Sequence, residues 1–170
     1  IATSFWGVAW CGNLEKYADW ANRMPRGRTY ARNGSIVDLQ ISAGKITSLV
    51  SGSSLYRIEI SIEKIKPNIW KAIRGDCAAN IGSLIDLMRG KLPTMVLKRL
   101  TDSKDGIFPA SKEIKIRCSC PDVATMCKHA AATLYGVGHL LDTEPELFFL
   151  MRGVNQSELV TDALHAQNQG

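Results

Sequence analysis

The chain has 170 residues, of which 45% are hydrophobic and 22% are charged, a composition that suits one globular domain with a proper core. Its 21 Lys and Arg against 16 Asp and Glu give a net charge of +5, a small excess that suits a phosphate-bearing partner without requiring one. No apolar run approaches the ~20 residues of a membrane-spanning helix, and residues 1–10 lack the basic lead of a signal peptide, so we expect a cytoplasmic protein with no membrane partner.

Large apolar residues near the beginning of the chain recur every three or four positions, which predicts a helix, or a turn followed by a helix, with one apolar face. Core packing is the expected role of the aromatic rings on this face, and stacking on bases or on a partner is the alternative. The residues concerned are Trp6, Trp10, Leu14, Tyr17 and Trp20.

An arginine-rich stretch follows. Because guanidinium groups fit phosphate oxygens, it is the best local candidate for binding nucleic acid. An arginine cluster alone is a weak signal, and a solvated loop leading into a strand is the alternative. The candidate residues are Arg23, Arg26, Arg28 and Arg32.

Three short segments of alternating apolar and polar residues come next, separated by turn sequences. They predict a three-stranded antiparallel meander with one buried face, which helices must cover. The segments are 35–41, 45–50 and 55–65.

Apolar residues then recur at helical spacing from Pro67 to Gly90, and a shorter helical pattern runs from Pro93 to Leu100. Proline suits the first turn of a helix and glycine its end, so we predict one helix that ends at Gly90 and a second short helix after it.

Four residues with metal-binding side chains lie within twelve positions further on. Alternation over residues 113–120 predicts a strand that places Cys118 and Cys120 on one face. An alanine-rich helical pattern begins near Cys127, which puts that residue at or before the helix start and His129 inside the helix. Three thiolates and one imidazole are a standard ligand set for structural zinc, so we predict one Zn(2+) ion here. Free cysteines packed beside a histidine are the alternative.

The spacing Cys-x-Cys, six residues, Cys-x-His resembles the signature of the SWIM zinc finger, carried here by Cys118, Cys120, Cys127 and His129. The sequences around these ligands, and residues 5–10 and 27–34 upstream, are similar to bacterial members of that family. The resemblance implies a zinc-dependent module that binds DNA or another protein, and it implies an association with Swi/Snf-type ATPases.

We do not expect an enzyme. A zinc ion with four protein ligands keeps no open position for water, unlike a catalytic zinc. The chain also lacks a glycine-rich phosphate loop and a nucleophile elbow.

Two non-catalytic hypotheses remain open. In the first, the four arginines and Lys128, the cation between two zinc ligands, bind DNA or RNA, with DNA favoured, as part of or alongside a remodeller-like ATPase system. In the second, the chain is an adaptor that docks on such an ATPase through Phe148 and Phe149, in an apolar run that is either core or a docking face.

The predicted fold is α+β. An N-terminal helical segment precedes the three-stranded meander with its covering helices, and a zinc-binding strand–turn–helix and short C-terminal helices follow. We assign these parts to three units at residues 1–100, 101–143 and 144–170.

Overall fold

The computed structural model describes residues 2–17, 20, 22–78, 80–102, 104–121 and 126–162. It confirms the α+β class. In chain order the helices and strands are α1 (Phe5–Glu15), α2 (Met24–Arg32), β1 (Ile36–Ser42), β2 (Lys45–Ser51), β3 (Leu55–Ile62), α3 (Pro67–Cys77), α4 (Leu84–Arg89), α5 (Thr94–Leu100), β4 (Ile114–Cys118), α6 (Lys128–Leu140) and α7 (Glu146–Met151). Residues 157–162 are also helical.

The strands form one antiparallel sheet of four, in the order β1–β2–β3–β4. The predicted three-stranded meander is therefore one strand short. β4 completes the sheet, with Ile114 opposite Ile62 and Cys118 opposite Ile58, because its alternating isoleucines extend the buried face of β3. The sheet includes strands from both sides of the boundary predicted between residues 100 and 101. The division into three units stays a prediction. The end of the third unit, residues 163–170, lies outside the described residues.

The core lies between one face of the sheet and the helices. Trp6 and Trp10 are each only 1% exposed, which confirms core packing of the N-terminal aromatic face. Both indole N–H groups donate to helix carbonyls, that of Trp10 to Leu134 at 2.9 Å and that of Trp6 to Leu87 at 3.0 Å. These bonds satisfy the polar atoms that burial removes from water.

Phe148 and Phe149 of α7 belong to this core. Neither has exposed surface, and the Phe148 ring centroid lies 5.7 Å from that of Trp10 and 6.0 Å from that of Trp6. The predicted docking role of Phe148 and Phe149 is therefore wrong, because a fully buried side chain cannot contact a partner.

The single helix predicted from Pro67 to Gly90 is two helices. α3 ends at Cys77, and Ser83 begins α4 as its N-cap, with Oγ accepting the N–H of Asp86 at 3.1 Å. Ile81 in the connection is also buried, so the apolar period continues across the break and hides it in the sequence. Gly90 does end α4, with φ of +67°.

None of the helices in the described part of the chain has the length and apolar character that crossing a membrane requires.

The arginine-rich stretch is helix α2 rather than a loop, and it crosses α6 at close range. A Cβ atom on Gly27 would lie 2.7 Å from the carbonyl carbon of Ala131 and 2.8 Å from the nitrogen of Ala132. The missing side chain therefore sets the distance between the two helices and holds α2 beside the first half of α6.

We predict that Gly27→Ala destabilises the protein by about 1–3 kcal/mol, because the added methyl group overpacks this crossing. Gly12→Ala is the matched control, since a Cβ atom on Gly12 of α1 meets nothing within 4 Å. That change should be neutral or stabilising by up to about 1 kcal/mol. Chemical denaturation of both variants measures the difference, and equal effects would contradict the role assigned to Gly27.

Candidate metal centre

The end of β4 and the start of α6 bring four ligand atoms together. The Sγ atoms of Cys118, Cys120 and Cys127 and one ring nitrogen of His129 all lie within 4.8 Å of one another. Cys118 Sγ is 3.9 Å from His129 Nδ1. Ligand atoms on a tetrahedral zinc ion, with Zn–S about 2.3 Å and Zn–N about 2.0 Å, are about 3.6 Å apart, so the cluster has the size of a zinc site.

The sheet positions the first two ligands. Cys118 is the last residue of β4, and the pairing continues one residue further, where the Ser119 N–H donates to the Arg57 carbonyl at 3.1 Å. The Ser119 hydroxyl accepts the Arg57 N–H at 3.0 Å. These two bonds fix the chain between the ligands, and Cys120 follows outside the strand.

The helix positions the other two ligands. Cys127 is the N-cap of α6, and its Sγ accepts the N–H of Ala130 at 3.3 Å. His129 follows in the first turn, as predicted from the helical pattern. The donated N–H and the positive end of the helix both favour the thiolate form of Cys127.

Two tyrosines that the sequence did not point to enclose His129. The ring of Tyr56 stacks on the imidazole with a centroid distance of 4.2 Å, and the ring of Tyr30 lies at 5.6 Å. A Cβ atom on Gly52 would be 3.3 Å from His129 Nε2, so Nε2 faces the β2–β3 turn. Since Nδ1 faces Cys118, we assign Nδ1 as the ligand atom.

Three thiolates and one imidazole close the coordination shell of a structural zinc ion and leave no position for a reactive water. Residues 101–136, which contain all four ligands, match the family model of the SWIM zinc finger. Residues 101–136 are thus similar to a SWIM zinc finger, and we call them the SWIM-like segment. Its structural ion is zinc, held by the end of β4 and the start of α6.

A longer similarity extends beyond the SWIM-like segment. The chain is 33% identical over 173 aligned positions to Rv2102, an uncharacterised protein of Mycobacterium tuberculosis strain H37Rv. The match covers the whole chain, which spans 62% of the length of that relative. No solved structure matches the chain.

The thiols of the SWIM-like segment favour the protonated form in the absence of a cation. Burial raises the pKa of Cys118 to about 12, and burial also raises the pKa of Cys127. Several thiolates this close repel one another unless a cation compensates their charge. Zinc must therefore displace protons when it binds.

Two of the five cations predicted to bind nucleic acid lie on the zinc side of α2. Tyr30 contacts His129 and so marks this side, and Arg26, four residues earlier, shares it. The Lys128 ammonium lies 5.5 Å from the centre of the Tyr30 ring. Arg26 is exposed, and Tyr30 and Lys128 are half-buried. We call Arg26, Tyr30, Tyr56 and Lys128 the zinc-side surface.

The remaining arginines are arranged differently. Arg28 donates to the Glu15 carboxylate at 2.7 Å and to the Tyr135 hydroxyl at 3.2 Å. Arg32 lies with Arg28 on the flank of α2 that faces away from the zinc, where both line the same cleft. Arg23 is the half-buried N-cap of α2. Phosphate binding by all five residues stays a prediction, and Arg28 has partners of its own within the fold.

We predict that zinc binding releases about two or more protons per ion near pH 7, because the Cys118 and Cys127 thiols are protonated there and bind zinc only as thiolates. The raised pKa values mean that acid favours the metal-free form, so zinc affinity should fall about 100-fold per pH unit as pH decreases. Calorimetry in buffers with different ionisation enthalpies counts the released protons. Release of fewer than one would contradict this assignment.

Proposed function

We propose that this chain is a structural-zinc module that binds nucleic acid, with DNA the favoured polymer, through the zinc-side surface. The observation that carries the proposal is a continuous row of a cation and aromatic rings beside the metal. Lys128 lies over Tyr30, and the Tyr30 and Tyr56 rings flank the zinc ligand His129.

The chemistry of this row suits a polynucleotide. Arg26 and Lys128 supply positive charge for phosphate oxygens, and the half-buried rings of Tyr30 and Tyr56 offer apolar surface for sugars or bases. Zinc contributes by position alone, because it fixes His129, which Tyr30 and Tyr56 contact, and the first turn of α6, which contains Lys128. The excess of Lys and Arg, 19 against 10 Asp and Glu in residues 1–117, adds long-range attraction for the polymer.

The proposal includes work alongside a Swi/Snf-type ATPase, which rests on the resemblance to bacterial SWIM proteins. A module that holds nucleic acid would present the polymer on which such a motor acts. The adaptor alternative requires Phe148 and Phe149 on a docking face, and both side chains are buried in the core.

We predict that the full zinc-loaded chain binds single- or double-stranded DNA at low salt and loses affinity steeply as salt rises. In the Arg26→Ala/Lys128→Ala double variant, the slope of log affinity against log salt should fall in magnitude by about 2, since each lost phosphate contact removes about 0.9. Fluorescence anisotropy with labelled DNA and RNA of the same sequence measures both slopes and the polymer preference.

Arg32→Ala is the matched control, because it removes an exposed arginine from the opposite flank of the same helix. Its slope should equal that of the wild type. The proposal fails if the zinc-loaded chain binds neither polymer at low salt. It also fails if the salt slope decreases equally in the control and in the double variant.

A further inference from the structure

A second basic site lies at the other end of β4 from the zinc. It is a pocket of about 430 Å³ between the β3–α3 connection, the loop after α5 and the turn before β4. This volume falls in the range of small-molecule sites and exceeds the size of a simple inorganic anion. We call it the basic pocket and define it by Lys66, Lys104, Phe108, Lys112, Glu113 and Arg152.

Arg152 is the unusual member of this pocket, because its side chain is only 4% exposed. Its Nη1 donates to the Glu63 carbonyl at 2.8 Å and to the Glu113 carboxylate at 3.2 Å. Its buried Nε–H finds no acceptor among the described residues. A buried guanidinium with an unused donor is rare in folded proteins, since buried polar groups are nearly always hydrogen-bonded.

The carboxylate that forms an ion pair with Arg152, that of Glu113, is itself shared. Glu113 accepts the Ala110 N–H at 2.9 Å through its other oxygen, so its charge is divided between the backbone and Arg152. Glu113 and Glu63 are the acidic residues that line the pocket, against four cations. The described walls therefore carry a net positive charge.

Three lysines account for most of the positive charge that lines the pocket. Lys66, Lys104 and Lys112 are exposed, and none forms an ion pair with any residue in the described ranges. The loop that carries Lys104 is held in shape, because the Asp102 carboxylate accepts the N–H groups of Lys104 and Asp105, both at 2.8 Å. All three lysines line one cavity, and Phe108 gives that cavity an apolar wall.

We propose that the basic pocket binds a phosphate monoester, as found in a nucleoside monophosphate or at the 5′-phosphate end of an oligonucleotide. A dianionic phosphate matches an excess of cations drawn from Lys and Arg, and the apolar wall and the volume suit an attached organic group. This site is separate from the zinc-side surface and does not depend on it.

The test is isothermal titration of the full zinc-loaded chain at low salt with five probes: inorganic phosphate, adenosine 5′-monophosphate, adenosine, and a short oligonucleotide in two forms, with and without a 5′-phosphate. The monophosphate should bind and adenosine should not. A 5′-phosphate that strengthens oligonucleotide binding while the free monophosphate fails would assign the site to a strand end, which also bears out the proposal.

The decisive variant is Lys66→Ala/Lys112→Ala, which should weaken binding of the phosphate monoester about tenfold or more. Lys91→Ala/Lys98→Ala is the matched control, since it removes two exposed lysines outside the pocket and should leave binding within about twofold. In wild-type protein, the amide resonances of Gly106 and Ala110 should shift on titration, which reports the site without any substitution.

The proposal is overturned if no phosphate probe binds, or if the two double variants bind equally well. Failure here is distinguishable from failure of the proposed function. The Arg26→Ala/Lys128→Ala variant should keep its affinity for the monophosphate whatever happens to its binding of the polymer.

Discussion

Coordination of one zinc ion by the last strand of the sheet and the first turn of α6 is the constraint on which the functional part of this structure depends. Cys118 belongs to β4, and Cys127 and His129 fix the beginning of α6. That helix in turn accepts the Trp10 indole N–H at Leu134 and packs directly on Gly27 of α2. The zinc ligands therefore connect the end of the sheet to the helix on which α2 packs.

Cys127 shows how closely metal binding and local structure agree. Its sulfur caps the helix by accepting the Ala130 N–H, and the same sulfur is a zinc ligand. Both interactions favour the thiolate, one through the helix dipole and one through the cation. In the absence of zinc, burial instead favours the protonated thiol, so the metal and the fold of this segment stabilise each other.

Local patterns in the sequence predicted the parts of the site that depend on near neighbours. The spacing of the four ligands can be read directly from the sequence. The strand before Cys118 follows from a period of two residues, and the helix start near Cys127 follows from a period of 3.6 residues. The pairing of β4 with β3 joins residues more than fifty positions apart, and no local pattern contains it. The same holds for the burial of Phe149 against Trp6 and for the partners of Arg28, which come from α1 and α6.

The two proposed binding surfaces lie near opposite ends of β4, a strand about 13 Å long. Zinc positions the residues of the zinc-side surface through His129, whereas Arg152 and three lysines give the basic pocket its positive charge. X-ray absorption at the zinc K edge of the purified chain tests the central claim most directly. We expect one zinc ion per chain with three sulfur ligands at about 2.3 Å and one nitrogen ligand at about 2.0 Å. A shell with oxygen ligands, or with fewer than three sulfurs, would contradict the assignment of Cys118, Cys120, Cys127 and His129 as a closed structural site.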